Sequence, residues 1–177
     1  WSDQGADSIA SWSINWGDGA TQIVAGNVSN VTHTYVDGVN HYSITASATD
    51  EDGTYAANTV AVTVNNVAPD LVAILGAPVS SFEGQPISLS SNAHDVGSLD
   101  TFTYSWTVTK NGSAYSSSTA SGFTFTPNDN GNYVVSLVVT DKDGAATSAS
   151  SASIQVVNVA PTATFNAPTS SSEGSSP

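Results

Sequence analysis

Four aspartates carry the clearest chemical signal in this chain. Asp50 and Asp52 stand two apart before Gly53, and Asp141 and Asp143 stand two apart before Gly144. Carboxylates at i and i+2 beside a glycine turn suit a hard cation such as calcium, which gathers about six to eight oxygens. The pairs fall short of an EF-hand loop, because its later ligands and distal glutamate are missing. A plain Asp-Gly hairpin turn explains both pairs without any metal, so the two readings stand side by side.

Other chemistry finds less support. No nucleophile elbow, HExxH or P-loop motif occurs, and His33, His41 and His94 have no triad spacing. The absence of cysteine excludes a disulfide framework, a thiolate metal site and a cysteine nucleophile together. Fifteen acids against Lys110 and Lys142 leave a net charge of −13. Phosphate contacts need Lys and Arg, so nucleic acid is excluded as a partner. No apolar run approaches the ~20 residues of a membrane helix. Trp1, Trp12, Trp16 and Trp106 could stack on a polysaccharide, yet Trp12 and Trp106 fall on strand positions that sandwich cores fill with a large aromatic. Asn27, Asn30 and Asn111 begin glycosylation sequons, which matter only in a eukaryotic secretory route.

The elements that must position these residues come in copies. Thr49 to Gly53 (TDEDG) recurs as Thr140 to Gly144 (TDKDG), and Asn66 to Pro69 (NVAP) recurs at Asn158 to Pro161. Asp3-Gln4-Gly5 matches Asp95-Val96-Gly97, and Ala77 to Gly84 (APVSSFEG) matches Ala167 to Gly174 (APTSSSEG). Four echoes at one spacing predict tandem domains of about 90 residues. The expected division is 1–68, a domain lacking its first strands, then 69–160, a complete domain, then 161–177, the opening strand of a third.

Within each copy the apolar period is two. Tyr104, Trp106 and Val108 alternate with Ser105 and Thr107, and Trp12, Ile14 and Trp16 alternate in the same way. Short Val- and Thr-rich runs separated by Gly, Asn and Asp turns predict an all-β chain of antiparallel sandwiches. Asp129-Asn-Gly-Asn-Tyr133 has the form of a tyrosine corner, with Tyr42 as its counterpart. The Asp-Gly turns then fit the hairpin joining the last two strands. Together these signals describe tandem immunoglobulin-like sandwiches. In that topology the B–C and F–G loops lie where the first strand enters. Asp95, Asp100, Asp141 and Asp143 are therefore expected to face the linker that carries Asn66 and Asp70. Calcium, if bound, is expected at that junction.

The stretch Trp12-Ser-Ile-Asn-Trp16-Gly17-Asp18-Gly19 resembles the W-x-F-G-D-G signature of PKD (polycystic kidney disease) domains. His33-Thr34-Tyr35 and Asp50-Glu51-Asp52-Gly53 match that family's H-x-Y and late D-x-x-G elements. The second copy keeps the TDKDG turn but has Val108 to Gly112 where W-G-D-G would stand, and Thr124 and Thr126 replace the H-x-Y. The resemblance implies an extracellular, non-catalytic module repeated in surface proteins, adhesins and secreted hydrolases.

The expected role is a stalk or adhesive segment of a large secreted bacterial surface protein, partnered by neighbouring repeats and stiffened by calcium at its junctions. An accessory substrate-binding module of a secreted hydrolase is the alternative from another class. A third expectation is head-to-tail self-association, with residues 162–177 adding a strand to the first domain of another chain. Any surface-protein or polysaccharide ligand is left unnamed by the residues.

Overall fold

The molecule is represented by a computed structural model, which describes residues 8–26 and 28–174. Trp1, the Asp3-Gln4-Gly5 echo, the Asn27 sequon and residues 175–177 lie outside the described residues. The period-two runs all form strands, and among the described residues there is no helix.

In the second unit the strands are β6 (Asp70–Leu75), β7 (Ser80–Phe82), β8 (Ile87–His94), β9 (Phe102–Lys110), β10 (Ser113–Ser118), β11 (Gly122–Phe125), β12 (Gly131–Asp141), β13 (Ala146–Ser148) and β14 (Ala152–Val157). One sheet runs β10-β9-β12-β14-β7, with β13 also on β12, and the other runs β11-β8-β6. Every pairing is antiparallel except β14 with β7. Alternate residues of the two sheets meet between them. Trp106, Val108, Tyr133, Val135, Leu137, Val139, Ile154 and Val156 are all essentially inaccessible, and Ile87, Leu89, Phe123 and Phe125 close the core from the smaller sheet. The sandwich is immunoglobulin-like in arrangement, all-β as the alternation predicts. Tyr133 forms the expected corner, its hydroxyl donating to Asp129 O at 3.0 Å and Asn128 Oδ1 at 3.1 Å.

In the first unit β1 (Ser11–Asn15), β2 (Thr21–Ala25), β3 (Asn40–Thr49), β4 (Thr54–Ala56) and β5 (Val60–Val64) make a single sheet, β2-β1-β3-β4, with β5 also on β3. Long β3 carries β1 on one edge and both β4 and β5 on the other, as β12 carries β9, β13 and β14. Ile14 and Trp16 are buried, and together with Val28 and Val31 of the strandless segment they line an open cleft of about 330 Å³ beside Trp12 and Ile44.

Residues 161–174, expected to open with a strand, form none. Their counterpart β6 is held as a strand by hydrogen bonding to β8, and among the described residues no strand pairs with 161–174. Phe165 there is 94% exposed.

Candidate functional site

The two units meet at the linker of residues 65–69. The turn at Asp37-Gly38 before β3 lies against it so closely that a Cβ on Gly38 would come within 2.6 Å of Asn65 O. Pro69, buried at the linker's end, fixes its own φ and holds Ala68 extended, so the linker leads straight into β6. Two loops of the second unit rise to the same place. One is β8–β9, with Asp95, Gly97 and Asp100, and the other is the β12–β13 hairpin, with Asp141, Lys142 and Asp143.

Asp141 anchors the hairpin. It is 4% exposed, and its Oδ1 accepts hydrogen bonds from the amides of Asp143 and Ala145, both at 2.9 Å. Its Oδ2 accepts from Asn66 Nδ2 of the linker at 2.7 Å. Burial pushes the Asp141 carboxyl up, but Asn66 and the amides of Ala145, Asp143 and Gly144 outweigh it and hold the group below the ordinary aspartate value.

Beside it, one oxygen from each of Asp37, Asp100 and Asp143 lies within 4.8 Å of the others. Lys142 Nζ stands among them, 2.5 Å from Asp37 Oδ1, 2.6 Å from Asp143 Oδ2 and 3.5 Å from Asp100 Oδ1. Hydrogen bonds to Asp143 and Asp37 raise the Lys142 ammonium above its ordinary value, so it is charged throughout the physiological range. The Asp100 side chain is only 1% exposed. Desolvation pushes its carboxyl up, Lys142 pulls it down, and the charges of Asp95 and Asp141 push it up again. Asp100 Oδ1 and Asp95 Oδ2 are buried oxygens with no hydrogen-bond partner. Gly97 packs against the same carboxylates, and a Cβ there would lie 2.1 Å from Asp100 Oδ2 and push that carboxylate aside. A cavity of about 240 Å³ opens on Asp37, Asp95 and Asp100, walled by Tyr35, Asn66 and Val67. Three carboxylates thus surround one ammonium, with the charges of Asp95 and Asp141 felt at Asp100. The chemistry available is cation binding by oxygen ligands.

Of the residues singled out from sequence, Asp95, Asp100, Asp141, Asp143 and Asn66 come together here. Asp70 does not join them; its Oδ1 lies 2.7 Å from His94 Nδ1. Asp50 and Asp52 make a local turn, with Asp50 Oδ1 accepting from the amides of Asp52 and Gly53. They stand at the β3–β4 hairpin of the first unit, away from this cluster. Asp37 and Lys142 were missed. The signal for Lys142 was the charge reversal between TDEDG and TDKDG. The signal for Asp37 was the turn before Tyr42, which the topology brings to the unit's exit.

The motif residues of the first unit pack on one another. His33 lies flat on Trp16 with centroids 4.7 Å apart, meets Tyr35 edge-on at 4.7 Å, and Tyr35 stacks on Tyr42 at 4.6 Å. His33 Nε2 is 2.6 Å from Asp18 Oδ2, and the Tyr35 hydroxyl donates to Trp16 O at 2.9 Å. Their role is to hold the β1–β2 turn and the strandless segment together.

A family model described as PKD domain matches residues 66–156. Among curated proteins, none matches the chain. Solved structures similar to it include the Clostridium thermocellum CbhA fibronectin(III)-like modules, at 16% identity and TM-score 0.43 over 93% of this chain and 88% of that one. The amphioxus IgVJ-C2 molecule is similar at 14% identity and TM-score 0.46, over 84% and 90%. Drosophila N-cadherin EC1-3 is similar at 13% identity and TM-score 0.37, over 89% and 58%.

Proposed function

The chain belongs to the PKD domain family, and from that premise we propose that it is a non-catalytic spacer in the stalk of a secreted or cell-surface protein, built so that neighbouring repeats are held at a fixed angle. PKD domains are commonly extracellular modules without catalytic activity. The observation that carries the reading is the pair of side-chain bridges across the boundary, Asn66 to Asp141 at 2.7 Å and Lys142 to Asp37 at 2.5 Å. Each joins the first unit or its linker to a loop whose own geometry is set by backbone hydrogen bonds, so bending the junction breaks polar contacts on both sides.

Calcium is the cation we assign to this junction. The ligands on offer are all oxygens, they come from both units, and two of them are buried without a hydrogen bond. A dication would neutralise the facing acids and stiffen the rod. Small-angle scattering of the chain in EDTA and in millimolar calcium tests the reading. The expected result is an extended particle with one preferred junction angle, a higher melting temperature in calcium, and a flexible pair of bodies in the double variant Asp37→Ala, Asn66→Ala. Scattering from the double variant that superimposes on the parent would overturn it.

A further inference from the structure

Lys142 stands among the acids of the junction, and what its position implies rests on the calcium reading above. Calcium binds oxygens at about 2.3–2.6 Å, so oxygens on opposite sides of one ion are about 5 Å apart at most. The oxygens of Asp37, Asp100 and Asp143 already satisfy that limit, at 4.8 Å or less from one another. The Lys142 ammonium is 2.5–3.5 Å from all three. It therefore stands where the ion would stand.

We propose that Lys142 is a tethered competitor for the junction's cation site: its ammonium closes the cluster when no metal is present, and a calcium ion must displace it to bind Asp37, Asp100 and Asp143. Three observations support the exchange. The Asp100 side chain, almost wholly buried and aimed into the cluster, has at Oδ1 only a long ion pair of 3.5 Å to the ammonium and no hydrogen bond, and the buried Asp95 Oδ2 has no hydrogen bond either. One monovalent charge thus leaves ligands over that a dication taking about six to eight oxygens would use. The Lys142 side chain is 30% exposed, and its four-carbon stem can carry the ammonium out to water. The hairpin does not require a cation at this position, because the same turn in the first unit has Glu51 there and keeps its Asp50 hydrogen bonds.

The consequence is a junction that stays closed without metal and binds calcium weakly, with affinity set by the lysine. Calorimetric titration of the whole chain with calcium chloride, parent against Lys142→Gln, reads this directly. Removing a positive charge this close to the ion is expected to tighten calcium binding about tenfold or more. In EDTA the same variant is expected to melt below the parent, and added calcium to raise its melting temperature more than the parent's. A 15N spectrum of the lysine ammonium groups supplies a check that needs no variant. Only Lys110 and Lys142 contribute, and calcium is expected to move the Lys142 signal and leave the Lys110 signal in place. Equal, tight calcium binding by parent and variant, with a stationary Lys142 signal, would refute the competition and leave the calcium site standing. Calcium heat from neither protein would refute the cation site itself, while scattering in EDTA would still report on the fixed junction.

Discussion

Asp141 is where the fold of the second unit and the junction share one side chain, so its removal makes a demanding test. Asp141→Ala deletes an acceptor of three hydrogen bonds, two from hairpin amides and one from Asn66. A hydrogen bond to a charged group contributes about 1.5–3 kcal/mol, and the hairpin amides partly regain water when freed. The lower end applies, and because the three bonds do not add fully, the expected cost is ~3 kcal/mol. For a domain of this size that lowers the melting temperature by roughly 12–20 °C. Asp141→Asn keeps one carbonyl oxygen for the hairpin amides but turns a donor toward Asn66, so about half the loss is expected. The pH dependence has a definite sign. The folded Asp141 carboxyl lies below its ordinary value. Its stabilisation is therefore fully present above the unfolded value of ~3.9 and disappears as the pH falls through the folded value. Circular dichroism melts at neutral pH, at mildly acidic pH and at about pH 3 should show the gap between parent and Asp141→Asn constant at first, then closing. A change of under about 3 °C for Asp141→Ala at neutral pH, or a gap undiminished in acid, would sink the reasoning.

Two further outcomes follow from the packing. Tyr133→Phe removes the corner hydroxyl from an otherwise inaccessible ring and is expected to cost about 1–2 kcal/mol, read as a lower urea midpoint at unchanged slope. His33 holds the Asp18 carboxyl below its usual range, chiefly through their hydrogen bond. Asp18→Asn should therefore loosen the first unit by a constant amount above about pH 4, with the difference from the parent fading as the pH falls through the lowered folded value of Asp18, followed through tryptophan fluorescence. An Asp18→Asn effect that persists in strong acid would mean that the turn, not the charge, is what Asp18 supplies.

Much of the architecture was legible because it is local. Alternation through Tyr104, Trp106 and Val108 encodes a half-buried strand whatever the chain does elsewhere, and β9 lies there with Trp106 and Val108 inward. The corner at Tyr133 and the hairpins at Gly53 and Gly144 rest on bonds spanning a few residues, so their motifs could be read directly. The strand expected at residues 161–174 was not decided locally. The motifs that flank β6, Asn66 to Pro69 and Ala77 to Gly84, have their echoes there, but a strand needs a hydrogen-bonded neighbour, and that lies outside any local pattern.

The candidate site divides in the same way. Composition and spacing alone determined that this chain offers oxygen ligands and no thiolate, and topology brought Asp95, Asp100, Asp141 and Asp143 toward one linker. Only the tertiary structure decided that Asp70 turns to His94, that Asp37 enters from the other unit across 63 residues to Asp100, and that Lys142 sits at the centre. The physical reason is range. Hairpins and strand faces are set by neighbours a few residues apart, whereas a charge cluster depends on distances between side chains from separate units, where a shift of about an ångström separates a hydrogen bond from none.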